Sequence, residues 1–181
     1  MIEDVFAVIE PVLQALGAVE EEGEEFRVPQ LDVLRYYRRP VRLHWLPWVG
    51  RAWGVTVVVR QPMDVGIKIG GGYTALLDRV SRAVHSRFPP GRDHRWGTVG
   101  LTVIVLTPEP IGHEDDASLQ KALTPSRRTR VVPLGVLRLN LGQGAMAMAL
   151  TSTPDRLFPE PIELADSLTA KYRRFVPLME M

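Results

Sequence analysis

Cysteine is absent from this chain of 181 residues. The sequence therefore excludes disulfide bonds, thiol nucleophiles and every zinc site that depends on thiolate ligands. Apolar runs are also short, because arginine, proline or glycine interrupts each of them before the roughly 20 residues that a transmembrane helix needs. The N-terminus starts with acidic residues and lacks the basic region and small-residue cleavage site of a signal peptide. We therefore expect a cytoplasmic protein with no membrane partner.

Motifs of several enzyme classes are missing as well. There is no G-x-S-x-G, no H-E-x-x-H and no G-x-x-x-x-G-K-[ST]. The run His113, Glu114, Asp115 and Asp116 could suggest a hard-metal site, but consecutive side chains cannot all point at one ion, so we expect the three acids to cap the helix that follows. We predict no catalytic residue, no metal site and no cofactor. These absences favour a non-catalytic protein, although active sites can assemble from residues distant in sequence.

The first forty residues predict a helix, a hairpin and an irregular piece. Apolar residues at three- and four-residue spacing indicate a helix over 2–16, in which Pro11 is expected to introduce a kink or to begin a second short helix. The acidic stretch over 18–29 predicts a hairpin that turns near Gly23. The segment 30–39 predicts a short helical or irregular piece that ends at Pro40.

The remainder alternates between strands and helices. The predicted elements are two β-rich arms over 41–61 joined around 47–50, a strand over 65–69, a helix over 73–88, a strand over 97–108, a helix over 113–123, a hairpin over 128–152 and a helix over 161–174. Such alternation favours the α/β or α+β class, with a single mixed β-sheet flanked by about three to four helices. We expect one domain over 1–181, in which 1–30 form a helix-and-hairpin appendage to an α/β core over 41–181.

One prediction specifies the centre of that sheet. Two β-rich runs flank the predicted helix over 73–88, which has one apolar face. We expect six of their residues to be buried in neighbouring strands: Val55, Val57, Val59, Leu101, Val103 and Val105.

The first candidate site is the run Gly70, Gly71 and Gly72, which precedes Tyr73, Thr74 and Ala75. This run matches the dinucleotide fingerprint G-x-G-x-x-G/A and lies between a predicted strand and a predicted helix. Glycines there would let backbone N–H groups at the helix N-terminus approach a phosphate. The acid expected about 20 residues later at a strand end is missing. Another anion, or a simply permissive connector, is therefore an alternative interpretation.

The second candidate site combines arginine with aromatic residues. Of 22 basic residues only three are lysines, and seven arginines lie between Arg27 and Arg60 against the single acid Asp32, whereas the first 26 residues hold eight acids and no base. The predicted partner-binding residues are Tyr36, Tyr37, Arg38, Arg39, Arg42, Trp45, Trp48, Arg51 and Trp53. Such residues anchor protein interfaces, stack on single-stranded nucleic acid, or fill a core that arginines cover. We expect at least one of the three tryptophans near the surface.

Together these patterns favour a non-catalytic interaction or adaptor domain. Its arginine and aromatic surface would bind a protein partner in a larger assembly, with a second copy of the chain as one such partner. The alternative is a nucleotide- or nucleic-acid-binding protein, enzymatic or not, that uses the Gly70 to Gly72 helix end and the basic segment 35–53.

Overall fold

The computed structural model describes residues 2–21, 26–29, 31–41, 52–61, 72–88, 98–112, 114–123, 130–151 and 157–174. The elements in chain order are α1 (Ile2–Ala15), β1 (Val19–Glu20), β2 (Asp32–Val41), β3 (Ala52–Arg60), α2 (Gly72–Arg87), β4 (Val99–Leu106), α3 (Asp115–Ala122), β5 (Val131–Asn140), β6 (Ala145–Leu150), α4 (Glu160–Thr169) and β7 (Arg173–Arg174). None of the described helices is long and apolar enough to cross a membrane.

The described strands form one mixed sheet in the sequential order β1 to β7. Its centre is parallel, because β3 pairs with β4 and β4 pairs with β5 in the same direction, each time with a helix in the connection. The pairs β1–β2, β2–β3 and β5–β6 are antiparallel, and β6–β7 is a short parallel pair. The predicted fold class is therefore confirmed: the described residues form one mixed sheet with four helices, one of them N-terminal, in the α/β class.

Helices cover both faces of the sheet and create two apolar cores. One core contains α2, α3 and every second residue of the central strands. The other core contains α1, α4 and the strand residues that face the opposite side of the sheet. A strand buried on both faces loses its polar alternation, and the long valine run of β3 has that character. The six central residues predicted to be buried lie in the adjacent strands β3 and β4 and are at most 1% exposed, which confirms that prediction.

β2 corrects the expectation of a short helical or irregular piece before Pro40. The segment is a ten-residue strand that pairs with β3. Tyr36 packs in the core with α2, whereas Tyr37 packs in the core with α1. Two consecutive tyrosines can both be buried only if the strand has a helix on each side, and the local sequence cannot reveal that.

Pro40 fits into β2 because of the direction in which its backbone points. The N–H of Glu21 donates to the carbonyl of Tyr36, so the backbone groups of Tyr36 point away from β3. Every second residue shares that direction, and Pro40 is four residues further along. Its missing N–H therefore removes no hydrogen bond to β3, which is how proline is tolerated near a sheet edge.

The acidic arm pairs differently from the predicted hairpin over 18–29. Val19 pairs with Arg38 and Glu20 pairs with Tyr37, so the partner of β1 is β2 and not the segment that contains Phe26. Ion pairs accompany this arrangement, with Arg35 Nε 2.9 Å from Glu20 and Arg38 Nη2 2.5 Å from Glu21. Opposite charges on neighbouring strands favour this register over pairing of two acidic arms.

Other boundaries follow the sequence closely. The predicted hairpin over 128–152 is β5 and β6 with a turn that contains Gly144 at φ 61°, and Gly17 at φ 79° follows the end of α1. α1 continues through Pro11 as one helix. α4 ends at Thr169, earlier than predicted, and β7 follows it. The predicted strand over 65–69 and the turns near Gly23 and 47–50 lie outside the described residues.

Three glycines let the start of α4 lie directly on the sheet. Gly54, Gly100 and Gly135 occupy β3, β4 and β5, and a Cβ atom on any of them would collide with the segment 157–161 or its neighbours. At Gly54 the colliding atom would be Oε1 of Glu160. These positions require glycine because of close approach and not because of backbone conformation.

Candidate ligand-binding site

The parallel strands β3, β4 and β5 end together, and we call this region the carboxyl edge. It comprises their last residues, the loop 107–112 and the first turns of α2 and α3. Loops and helix N-termini converge at the carboxyl ends of parallel strands, which makes this edge a place to search for a ligand site. The described strands follow one another in sequential order, so the case for a site depends on the side chains that meet there.

Buried polar side chains concentrate at the carboxyl edge. The described residues contain eight buried polar or charged side chains, and four of them, Gln61, Thr107, Arg138 and Asn140, lie here. Burying a polar group costs free energy unless it is hydrogen-bonded. A cluster of such groups therefore needs a structural or functional reason.

Arg138 is the central residue of this cluster. It lies near the end of β5 between Val105 of β4 and Ala147 of β6, and its side chain is only 4% exposed. Its Nη1 donates to Asp115 Oδ1 at 2.5 Å, and its Nη2 lies 3.4 Å from Glu109 Oε2. Its Nε is buried and has no hydrogen-bond partner in the part of the chain that the structure describes. The guanidinium is therefore held firmly on one side only.

Asp115 and Tyr73 hold Arg138 from the two helices. Asp115 begins α3 and also accepts hydrogen bonds from the N–H of Gly112 at 2.7 Å and the hydroxyl of Tyr73 at 3.2 Å. The Tyr73 ring, in the first turn of α2, lies 5.5 Å from the guanidinium carbon of Arg138. Burial raises the pKa of the Tyr73 hydroxyl above its usual range, and the negative charge of Asp115 adds to the increase although Arg138 opposes it. The Tyr73 hydroxyl therefore stays protonated at neutral pH and donates its hydrogen bond to Asp115.

The loop 107–112 is fixed by hydrogen bonds from the hairpin that follows it. Asn140 Nδ2 donates to the carbonyls of Pro108 and Glu109, at 3.1 and 2.8 Å. The N–H of Ile111 donates to Gln143 Oε1 at 2.8 Å. These contacts fix the backbone beside Arg138, whereas the side chain of Glu109 is 52% exposed. The carboxyl edge thus combines a rigid backbone with one adjustable carboxylate.

Of the glycine run predicted as a phosphate site, the structure describes only Gly72. Gly72 is the first residue of α2 and has φ 62°, a left-handed conformation that favours glycine. Gly70 and Gly71 lie outside the described residues, so their predicted contact with a ligand stays a prediction. The structure does bring the start of α2 to within reach of Arg138, since Tyr73 contacts it.

The predicted arginine and aromatic surface divides between the two faces of β2. Tyr36 and Tyr37 are 1% and 3% exposed and belong to the cores. Arg39 pairs internally, with its Nε 2.7 Å from Glu160 Oε1 and its Nη2 2.9 Å from the carbonyl of Leu157. Arg38 stacks on Trp53 at 4.6 Å from the ring centroid and retains 36% exposure of its side chain. Trp53 itself is partly buried.

Four further members of this predicted surface, Arg42, Trp45, Trp48 and Arg51, lie outside the described residues. Their contact with a partner therefore stays a prediction, as does the exposure of at least one tryptophan at this end of the sheet. Within the described part of the chain, Arg38, Trp53 and the neighbouring Phe88 form what we call the Arg38 stack.

The acids at the start of α3 have roles that differ from simple capping. Glu114 occupies the N-cap position without a side-chain cap hydrogen bond. Asp115 pairs with Arg138, and Asp116 accepts a hydrogen bond from the N–H of Met148 at 2.8 Å. They therefore tie α3 to β5 and β6. Among the described residues, no group of three or more acidic or histidine side chains is arranged to hold a metal ion.

Helix α3 also carries a serine and a lysine at a spacing used in catalysis. Ser118 and Lys121 have the S-x-x-K spacing of some acyl-transfer enzymes. Both lie on α3 and are exposed. An exposed pair on a helix surface does not provide the enclosed, preorganised environment that activates a serine, and it adds no catalytic hypothesis.

Sequence reasoning missed Arg138, Glu109 and Asn140. A signal for Arg138 does exist in the sequence, because strand alternation in β5 places it on the same face as Val136, which is a core position. A charged residue at a core position is rare unless it is paired or functional. Glu109 lies in a loop, where no periodicity could identify it.

Comparison of the chain with protein-family models, with curated proteins and with solved structures finds no match. No relative therefore supplies a ligand or a reaction for the carboxyl edge. Its function has to be inferred from the contacts, burial and charge of the residues that meet there.

Proposed function

We propose that this chain is a ligand-binding domain that holds a small polar molecule at the carboxyl edge. The observation that carries the proposal is the buried Arg138, whose Nε–H lacks an acceptor at the point where α2 and α3 begin. A buried donor without an acceptor costs about 1–3 kcal/mol. A ligand atom that accepts from this nitrogen would remove that cost.

The surroundings of Arg138 support the proposal. The loop 107–112 is fixed by Asn140 and Gln143, so its backbone is ordered for recognition. Two helix N-termini lie at the same edge and bring partial positive charge. The nucleotide hypothesis for Gly70 to Gly72 concerns the same region, so a nucleotide is one class of ligand that the proposal includes.

Amide chemical shifts can test where small molecules bind. We expect a library of small polar compounds to perturb the amides of Gly112, Gln143 and Tyr73 in ¹⁵N-labelled protein, and to leave that of Gly17 unchanged. Arg138→Met should remove these perturbations, whereas Arg82→Met, on the exposed face of α2, should retain them. Perturbations confined to other parts of the chain would contradict the proposal. Circular dichroism establishes that both variants are folded.

A second candidate function is the interaction or adaptor role, and the Arg38 stack favours it. Arg38 lies over Trp53 and 6.0 Å from the ring centroid of Phe88, and it remains partly exposed. Arginine and tryptophan are enriched among residues that dominate binding energy at protein interfaces. The stack adjoins the connection 42–51, which holds two further tryptophans and two arginines. A protein partner with an acidic surface would complement this composition.

The adaptor role is tested with Arg38→Ala, which removes a partly exposed side chain and should leave the fold intact. We expect a partner identified with the native chain to lose at least tenfold in affinity for this variant, the loss expected for a hot-spot residue. Arg82→Ala is the control, because it also removes a partly exposed, ion-paired arginine. Equal affinities of the two variants would rule out the Arg38 stack as the contact surface.

A further inference from the structure

The three nitrogens of the Arg138 guanidinium differ in their hydrogen bonds. Nη1 donates to the carboxylate of Asp115 at 2.5 Å, and the Asp115 side chain is 17% exposed. Among the described residues, Nη2 has only the long contact of 3.4 Å to Glu109, and Nε has no hydrogen-bond partner. In a guanidinium group, Nε–H and one Nη2–H point in the same direction and form a fork. The side of Arg138 that faces away from Asp115 is therefore a nearly unused pair of parallel donors.

Such a fork has a known chemical complement. Two parallel N–H groups match the two oxygens of a carboxylate or the paired oxygens of a phosphate, and the bidentate arrangement is short and strong. Glu109 does not supply that arrangement, because a single oxygen reaches one of the two donors at the outer limit of hydrogen bonding.

Burial differs sharply between the two side chains. Arg138 is 4% exposed and Glu109 is 52% exposed, so the carboxylate of Glu109 reaches the guanidinium from the solvent side. Its main chain is fixed by Asn140, so its side chain can rotate away from Nη2 while the backbone stays in place. A half-exposed carboxylate loses little when it returns to water.

We infer that the Nε and Nη2 fork of Arg138 recognises a carboxylate or phosphate group, and that Glu109 is the side chain such a group would replace. This inference rests on the proposed function and adds the chemical class of the ligand. Asp115 keeps its hydrogen bond with Nη1 of Arg138 when the anion binds, because Gly112 and Tyr73 hold the Asp115 carboxylate in position. The first turn of α2, which contacts Arg138 through Tyr73, contains no acidic residue, so its helix dipole favours an anion at this edge.

The experiment follows the Nε–H resonance of Arg138 during titration with inorganic phosphate and, separately, with acetate. We expect a saturable shift of this resonance with at least one of them, which also distinguishes phosphate from carboxylate preference. Arg138→Lys identifies the resonance and should abolish binding, because lysine keeps the charge but lacks the fork.

Glu109→Gln tests the role of the carboxylate. Loss of a competing negative charge should tighten binding of the anion about threefold to tenfold, the effect expected of one unit charge about 5 Å away that water screens, as it does for the half-exposed Glu109. The matched control is Glu163→Gln, which removes an exposed carboxylate from α4 and should leave the affinity unchanged. Both variants retain the Arg138 to Asp115 pair and should therefore fold normally.

The outcomes separate the inference from the proposed function. If neutral compounds perturb the carboxyl edge while phosphate and acetate leave the Nε–H of Arg138 unmoved, the ligand class is wrong and the site stands. If neither neutral compounds nor anions perturb the edge, both proposals fall. If Glu109→Gln and Glu163→Gln raise the affinity for the anion equally, the effect is general charge attraction, and the role given to Glu109 is wrong.

Discussion

At residue scale, the contact between Gly54 and Glu160 predicts a strong dependence of stability on one methyl group. A Cβ at Gly54 would overlap Glu160 Oε1, which is buried and paired with Arg39. We expect Gly54→Ala to lower the free energy of unfolding by about 1–3 kcal/mol, as overpacking does elsewhere. Urea denaturation measures it.

Gly112→Ala is the control for that substitution. A Cβ at Gly112 would meet no atom within 4 Å, so its effect should stay within about 0.5 kcal/mol. Equal effects of the two substitutions would show that Glu160 can move aside without cost and that the close packing of α4 on β3 is not required.

A second residue-scale prediction concerns Tyr36, whose hydroxyl is buried without a hydrogen-bond partner. Burial, reinforced by the charge of Glu21, raises the pKa of Tyr36 to about 12. The unfolded chain ionises near the ordinary value of about 10. Stability from this tyrosine is therefore complete below pH 10 and is lost as the pH rises towards 12. Tyr36→Phe should make the loss of stability over this range shallower.

Tyr36→Phe should cost little at pH 7, because no hydrogen bond is removed. Tyr73→Phe is the informative comparison, since it removes the hydrogen bond to Asp115 and should cost about 1–2 kcal/mol at the same pH. Thermal unfolding between pH 7 and 12 records both effects. A larger loss for Tyr36→Phe than for Tyr73→Phe at pH 7 would mean that the Tyr36 hydroxyl does have a partner in solution.

At the scale of elements, α1 retains a proline in its interior. Pro11 is the tenth of its fourteen residues and is exposed, so the helix lacks one internal hydrogen bond there without any compensating burial. Interior proline costs a helix about 3 kcal/mol relative to alanine. We expect Pro11→Ala to raise the free energy of unfolding by about 1–3 kcal/mol in urea denaturation.

The control for Pro11→Ala is Gln14→Ala on the same exposed side of α1. Glutamine and alanine differ little in helix propensity, so this variant should shift stability by less than about 0.5 kcal/mol. If Pro11→Ala shifted it no more than Gln14→Ala does, α1 would be bent at Pro11 in solution, as the local sequence indicates.

At the scale of the whole molecule, the two cores share one sheet and should unfold together. Leu101 belongs to the core with α2 and α3, and Leu164 belongs to the core with α1 and α4. Both are fully buried, so Leu101→Ala and Leu164→Ala should each cost about 2–5 kcal/mol. The single-domain prediction for 1–181 requires that each variant still unfolds in one transition.

Tryptophan fluorescence and far-ultraviolet circular dichroism, recorded in the same urea series, test that requirement. Coincident midpoints in the native chain and in both variants would support one cooperative unit. Separate midpoints in Leu164→Ala would indicate that the face with α1 can unfold alone, which would divide the predicted single domain.

What the sequence determined by itself is the alternation of strands and helices from β3 onward. The signals were local: a β-branched run over Val55 to Val59, the apolar spacing of α2 and a turn that contains Gly144. Together they predicted a mixed sheet with helices against it. Each depends on neighbours within a few residues. For that reason the fold class and the central buried valines follow from local patterns alone.

Only the tertiary structure decided the identity of β2 and the composition of the carboxyl edge. Tyr36 and Tyr37 are both buried because Phe26 packs on one face of β2 and α1 packs on the other. Val19 pairs with Arg38 of β2, which is distant from it in the sequence. Arg138, Tyr73 and Asp115 contact one another although they belong to three separate elements, β5, α2 and α3. Contacts between residues so distant in sequence leave no periodic pattern, because packing of whole layers, and not local conformational preference, brings them together.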